Sequence, residues 1–408
     1  MTGLPITREF LYGCVNRGYN ARRLILMPDM PDQSTPFVYN NDDETLEIVM
    51  FKSTFKEIFN ECHPKLDKFL QEGQVVRDEQ HLAELYLVTI GMMLTTNENH
   101  SVISIHDDIV MKMLSCSPHK NFCTDIILEP SSFLLRELFL LQTLLNSNIA
   151  KINKSSSLWC LLRKLFIYVD STRSFNKIPS KFFLYTPLAS AKMHPSNYYA
   201  WNFLTFTINV SKLKATCNFF IECTKDVEKF CKQNLTDSSA WSCYTNIIEM
   251  NPAALRMTCE EYNKYSSGEK LEFVHQRVAV GMPSPREKLM DMSKWLWDSK
   301  CVSDIPYHAF GRLLIYIVRQ WQDRFLVRQI MEQVVVHCSV MEEVWFRKKG
   351  LEVVVKHGYF TTKSVDLDKD AVLKEQIQTY ANWKRLLNWH TEFVFDRYLR
   401  DTLDVKVI

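Results

Sequence analysis

The sequence predicts an all-α protein, a right-handed superhelical crescent of antiparallel helix hairpins resembling a TPR-like α-α superhelix. Three observations carry that expectation. Apolar residues recur at helical spacing from about residue 46 onward, as in Phe51, Phe55, Ile58 and Phe59, and again in Leu82, Leu85, Leu87 and Ile90. One pattern of small or polar residues, then Trp, then an apolar stretch occurs three times, with Trp-to-Trp spacings of 42 and 40 residues. A period of roughly 20–50 residues is the signature of stacked supersecondary units, each burying its apolar face against the next. Glycine is scarce, 10 of 408 residues, against an average near 7%. No G-x-G-x-x-G or G-K-[ST] occurs, which argues against folds that bring backbone up to a nucleotide phosphate.

Residues 1–45 read as an irregular N-terminal segment with short β-like runs at Leu24–Leu26 and Phe37–Tyr39. Residues 46–363 form the helical-hairpin repeat. Pro130, Pro179, Pro195, Pro252 and Pro306 mark helix starts or loops within it. The three strong repeat segments are Lys154–Trp159, Ser196–Trp201 and Thr236–Trp241. They follow the apolar-periodic stretches Leu134–Leu145, Lys181–Met193 and Cys217–Cys231. The unit is therefore helix, short loop, helix. Ser155, Ser196 and Asp237 stand four or five residues before the Trp, where an N-cap must accept from free backbone amides. Trp159, Trp201 and Trp241 then fall one turn into the second helix. Burying each ring between hairpins contributes roughly 3 kcal/mol or more. Weaker copies place Ile103 and Phe310 at the Trp position, with Val344–Arg347 as a looser one, giving five or six hairpins. Residues 364–408 read as an acidic loop over 364–372 and a last helix over 373–399 with Trp383, Leu387 and Phe393 inward.

Composition bounds the function. The chain is 46% hydrophobic and 24% charged, with a net charge of +2, the profile of a soluble globular protein. That balance speaks against a nucleic-acid partner. No apolar run reaches about 18 residues, so no stable membrane insertion is expected, and no secretory leader is visible. The 12 cysteines show no metal-ligand spacing, so no metal site is expected in this chain. Cys217, Cys223 and Cys231 read as small buried hydrophobes, and a cytoplasmic location follows from reduced thiols. His194, His308 and His390 read as capping or core residues. Glu260-Glu261 and Glu342-Glu343 read as solvated pairs, and Met282–Met292 as core filling.

The segment Asn197-Tyr198-Tyr199-Ala200-Trp201 resembles the repeat motif of protein prenyltransferase α subunits, Asn-Tyr-x-x-Trp-x-x-Arg, and Ser239-Ala240-Trp241 is similar to its later form. The runs Leu24–Pro28 and Pro36–Tyr39 resemble the prenyltransferase-α-repeat-containing subclass, similar to the α subunit of type III geranylgeranyltransferase. The resemblance implies an enzyme active only with a β subunit, for which the subunit shared with Rab geranylgeranyltransferase is the candidate. It implies zinc in that partner, no cofactor in this chain, geranylgeranyl diphosphate as co-substrate, and a protein cysteine as acceptor, with a prenylated SNARE as candidate. By position in the repeat, Lys154 would be catalytic, its ammonium stabilising the leaving diphosphate. Tyr198 and Tyr199 would line the substrate cleft. Trp159, Asn197, Trp201 and Trp241 would be structural repeat residues.

Other readings stand beside these. Lys154 also fits an exposed residue preceding a helix cap, and Tyr198 an ordinary packing tyrosine. The family's Arg after each Trp is replaced here by Leu162, Leu204 and Tyr244. That departure keeps open a second function, a non-catalytic helical-repeat interaction scaffold that holds a protein or peptide in its groove.

Overall fold

The computed structural model describes residues 4–15, 21–31, 33–41, 45–73, 78–96, 98–115, 130–174, 178, 181–214, 217–273, 284–321, 324–346, 353–356, 359–362 and 371–389. They are mostly helical, but the chain also holds a small three-stranded sheet and a strand hairpin, which corrects the all-α expectation. Packing divides the chain into two units. The first comprises Met1–Lys214 and Ala253–Val278, the second Ala215–Pro252 and Ala279–Ile408.

The first unit opens with α1 (Pro5–Val15) and strands β1 (Ala21–Met27), β2 (Phe37–Asn41) and β3 (Thr45–Phe51). The N-terminal segment is therefore regular. The β-like runs at Leu24 and Phe37 are indeed strands, but they do not pair with each other. β3 lies between them, parallel to β1 with Leu24 opposite Ile48, and antiparallel to β2 with Tyr39 opposite Ile48. Thr45–Ile48 alternates at period two with Leu46 and Ile48 buried, and Val49, Met50 and Phe51 beyond it are all buried. A helix begins directly at Lys52 with no intervening loop, and Phe51 is in helical spacing with Phe55, Ile58 and Phe59, which is why a helix was expected from residue 46.

The outer edge of β1 is closed by two asparagines. Asn148 Nδ2 donates to the Leu26 carbonyl at 3.1 Å, its Oδ1 accepts from the Leu26 amide at 2.8 Å, and Asn146 Nδ2 donates to the Arg22 carbonyl at 3.0 Å. Side-chain amides thus stand where a fourth strand would otherwise satisfy the edge.

Eight helices follow: α2 (Lys52–Gln71), α3 (Glu79–Thr95), α4 (His100–Ser115), α5 (Pro130–Leu145), the single turn α6 (Ala150–Asn153), α7 (Ser156–Ser171), α8 (Phe182–Met193) and α9 (Tyr198–Leu213). α2 and α3 approach closely at Gly91, where an added Cβ would run into Cys62 Sγ and Ile58 Cγ2. The chain then passes into the second unit through α10 (Cys217–Gln233) and α11 (Ser238–Ile248), and returns with α12 (Pro252–Tyr265). α12 is tied to the first unit. Tyr262 donates to Asp170 at 2.6 Å, and Arg163 Nη1 donates to both oxygens of Glu261 at 3.0 and 3.1 Å. Glu261 is therefore engaged rather than a solvated charge.

The second unit contains α10, α11, α13 (Pro285–Asp298), α14 (Ile305–Trp321) and α15 (Arg324–Met341). After these come a π-helical turn (Glu342–Phe346), the hairpin β4 (Val353–Lys356) with β5 (Tyr359–Thr362), and α16 (Ala371–Trp389). Arg312 clamps α14 to α11 through a two-pronged pair with Glu249 at 2.9 and 2.6 Å. Cys223 and Cys231 are buried, as is Met292; the side chains of Cys217 and Met282 lie outside the described residues. Trp383 is buried edge-on to Tyr307, ring centres 5.1 Å apart. Leu386 rather than Leu387 shares that burial. The helix begins at Ala371, inside the expected acidic loop. Residues 363–370 and Phe393 lie outside the described residues, as does His390. Glu342 also departs from the solvated reading, since it accepts from Tyr380 and from Lys384, the latter at 3.0 Å.

Candidate functional site

The repeat pattern resolves into one local geometry. A polar residue caps the helix, its side-chain oxygen accepts the amide three residues on, and the large apolar residue stands four beyond the cap. Ser155 accepts from Leu158 at 3.3 Å, Asn197 from Ala200 at 3.4 Å and Asp237 from Ala240 at 2.9 Å. Trp159, Trp201 and Trp241 follow, each 2% exposed. Asn99 accepts from Val102 at 3.2 Å and puts the buried Ile103 in the same place. The cap of α9 is thus Asn197, not Ser196. Ser196 has φ of 58°, the left-handed region, and orients the chain into the cap. Phe310 is buried but stands five residues beyond the start of α14, out of this register.

Asn197 does more than cap. Its Nδ2 donates to Asn153 Oδ1 at 2.8 Å and to Ser190 Oγ at 3.0 Å. Asn153 Nδ2 in turn donates to the Leu145 carbonyl at 2.7 Å, and its own carbonyl accepts from Trp159 Nε1 at 2.9 Å. Asn153, Ser190 and Asn197 have no exposed surface. This amide cluster joins the loops before α7 and α9 into one rigid junction. The sequence reading missed Asn153, its hub. The signal available was a polar residue between Ile152 and the Ser155 cap.

Lys154 sits on the same junction, at the end of α6, with Nζ donating to the Pro195 carbonyl at 3.1 Å. Its ammonium thus links the two loops. His194 Nε2 lies 3.2 Å from the Ser147 carbonyl, and burial is the main cause holding its pKa below the usual 6.5. His308 is largely exposed. On the outer side of the junction, Tyr198 and Tyr199 are 62% and 39% exposed and meet edge to face at 5.6 Å. The structure therefore gathers Lys154, Asn197, Tyr198 and Tyr199 at one place, with Trp159 and Trp201 beneath it.

A second polar constellation lies under α3, α4 and α5. His106 Nε2 is 2.9 Å from Glu137 Oε1, His106 Nδ1 is 2.8 Å from Thr89 Oγ1, and Tyr86 donates to Glu137 Oε2 at 2.7 Å. The order hydroxyl, imidazole, carboxylate is that of a nucleophile with its base and orienter. All four side chains are fully buried, so no substrate reaches the hydroxyl and the cluster serves as a packed polar core. Burial is the first cause raising the Tyr86 pKa well above its normal value, with the Glu137 charge next. A cavity of about 330 Å³ between α2 and α3, lined by Lys65, Lys68, Phe69, Glu72, His81 and Glu84, carries both charge signs, with Lys65 paired to Glu84. Among the described residues no group of three His, Cys, Asp or Glu is placed to hold a metal ion.

The chain is a mostly helical protein in which three capped helices each bury an indole four residues beyond the cap. Residues 1–146 match the family model described as the ECM9 N-terminal domain, and residues 158–269 that of the ECM9 middle domain. The chain is similar to Protein ECM9 of Saccharomyces cerevisiae, 27% identical over 308 residues, covering 75% of this chain and 76% of that protein.

These matches overturn the resemblance to prenyltransferase α subunits, and with it the reading as a geranylgeranyltransferase subunit and an enzyme. The physical reason lies in the motif itself. Asn197 caps α9 and Trp201 is buried four residues on, so local capping and packing account for both residues without the family's chemistry. The β subunit, its zinc, the diphosphate and the acceptor protein entered through that resemblance alone and are carried no further.

Proposed function

We infer that the chain is a non-catalytic helical-repeat interaction scaffold and that the junction around Tyr198 and Tyr199 is its contact surface for a protein partner. One observation carries this reading: two exposed, mutually packed tyrosines stand directly on the buried Asn153–Ser190–Asn197 cluster. Tyrosine concentrates binding energy because it offers a large apolar face and a hydroxyl. A mount fixed by buried hydrogen bonds loses little freedom on binding. The reading takes the right-handed superhelical stacking expected from the repeat as its architecture and the cytoplasm as its setting. The second is supported by nine free cysteines among the described residues. No helix among them is long and apolar enough to cross a membrane.

The test is quantitative affinity purification of the full chain, wild type against Tyr198→Ala/Tyr199→Ala, with circular dichroism to verify the fold. The variant is expected to lose a stoichiometric partner while keeping its helicity. An unchanged set of partners in unchanged amounts would remove the junction from the surface that binds.

A further inference from the structure

The junction that carries Tyr198 and Tyr199 is positively charged. Residues 145–214 hold ten Lys or Arg and one acid, Asp170. Asp170 lies in the last turn of α7, about 21 Å from its capped end at about 1.5 Å per residue, and is engaged there by Lys214 and Tyr262. At the junction itself, Lys151 on α6 and Lys192 in the last turn of α8 are exposed. Among the described residues neither has a carboxylate partner. Lys154 donates to the Pro195 carbonyl at 3.1 Å, a dipole and not a charge. Elsewhere lysines are matched by acids, as Lys65 is by Glu84, Lys164 by Asp107 and Lys288 by Glu228. Glu98 reaches the junction from the turn before α4, but its Oε1 accepts the Ser156 amide at 2.7 Å and is committed to the start of α7. His194 adds no charge near pH 7, because burial first, and the Lys154 ammonium with it, hold its pKa below the usual 6.5. The capped ends of α7 and α9 add partial positive charge.

Resting on the contact surface inferred above, we propose that its partner presents an acidic peptide segment. An apolar side chain of that segment seats on the Tyr198–Tyr199 pair, and carboxylates on either side of it face Lys151, Lys154 and Lys192. The tyrosines supply contact area, and the lysines select the sign of the partner and speed its arrival. Carboxylates of a peptide fit better than a nucleic acid. No arginine occurs in residues 145–162 or 182–202, and arginine is the side chain that grips phosphate with two bonds. The whole chain carries a net charge of only +2, far from the basic balance of a nucleic-acid binder.

Selection of a random-peptide display library on the purified full chain tests this, each enriched peptide then being synthesised and its affinity measured. The expected peptides carry Asp or Glu on both sides of an apolar residue and bind more weakly as salt rises. Lys151→Glu/Lys192→Glu, at two exposed positions, should weaken them about tenfold with unchanged helicity, since two exposed pairs are lost and turned repulsive. Tyr198→Ala/Tyr199→Ala should abolish binding. Neutral or basic peptides that still require the tyrosines overturn the acidic partner and leave the contact surface standing. Acidic peptides that bind the tyrosine variant as well as the wild type remove the contact surface and this inference with it. Polyuridylate RNA bound with the same lysine and tyrosine dependence would make the occupant a nucleic acid and overturn the proposal, as would a library that yields no tyrosine-dependent peptide.

Discussion

His106 and Glu137 face each other at 2.9 Å across α4 and α5 with no exposed surface on either side chain. Removing one member of a buried pair leaves the other uncompensated, at a cost of about 3–5 kcal/mol. Glu137→Ala also strips Tyr86 of its acceptor. The expected outcome is a loss of about that size in urea unfolding of the full chain, with α4 losing amide protection first. A loss under about 1 kcal/mol would be that of an ordinary surface pair and would contradict a sealed polar core.

Asn197→Ala separates capping from bridging. A lost cap alone costs about 1 kcal/mol. Asn153 Oδ1 keeps its bond from Ser190 Oγ, but Ser190 Oγ loses its donor and Asn153 Oδ1 one of two, which adds about 1–3 kcal/mol. The combined drop should therefore exceed that of Asp78→Ala, whose side chain accepts only from the His81 amide. Equal drops in denaturant midpoint would show that the bridge adds nothing.

Gly91→Ala poses a question of sign. Alanine improves a helix interior by about 1 kcal/mol over glycine. Here the new Cβ meets Cys62 Sγ and Ile58 Cγ2, and overpacking costs about 1–3 kcal/mol. A net destabilisation is expected, relieved when Cys62→Ala is added. A more stable single variant would mean that α2 yields freely.

His337 is stacked on Trp297 at 3.7 Å, and burial lowers its pKa below 6.5. The unfolded chain therefore binds the proton more readily than the folded one. Stability from this group is present above 6.5 and falls as pH drops through the unfolded value. His337→Phe should flatten the decline in unfolding midpoint between about pH 7.5 and pH 5.5. An identical pH slope in the variant would exclude His337 as its source.

Thiol labelling of the native chain should modify Cys160 first among the described cysteines, since it is the exposed one. Burial pushes Cys14 up to about 12 and Cys62 to about 11, which suppresses the reactive thiolate. Peptide mapping after brief alkylation reads this directly, and early modification of Cys14 would refute it.

The repeat was legible because its cause is local. A cap and an indole four residues later need no distant partner, so Ser155–Trp159, Asn197–Trp201 and Asp237–Trp241 could be found from sequence, with a single misassigned cap where Ser196 takes a left-handed conformation. What escaped depends on long-range pairing. β3 was hidden because α2 begins directly after it and Phe51 shares the helical spacing of Phe55, Ile58 and Phe59. The His106–Glu137 cluster joins residues 31 apart. A visible trace was Arg136-Glu137, the charged pair inside the largely apolar Phe133–Leu145, which a buried helix tolerates only with partners. The family motif misled for the opposite reason: a local cap and a buried indole were read as ancestry.

The excursion of residues 215–252 into the second unit before the chain returns with α12 governs the order of assembly. A nascent chain emerging from the N-terminus must make α10 and α11 before it can deliver Tyr262 to Asp170 and Glu261 to Arg163. Neither unit is a contiguous stretch of sequence, so a stop codon after Lys214 would release a body still missing its last helix.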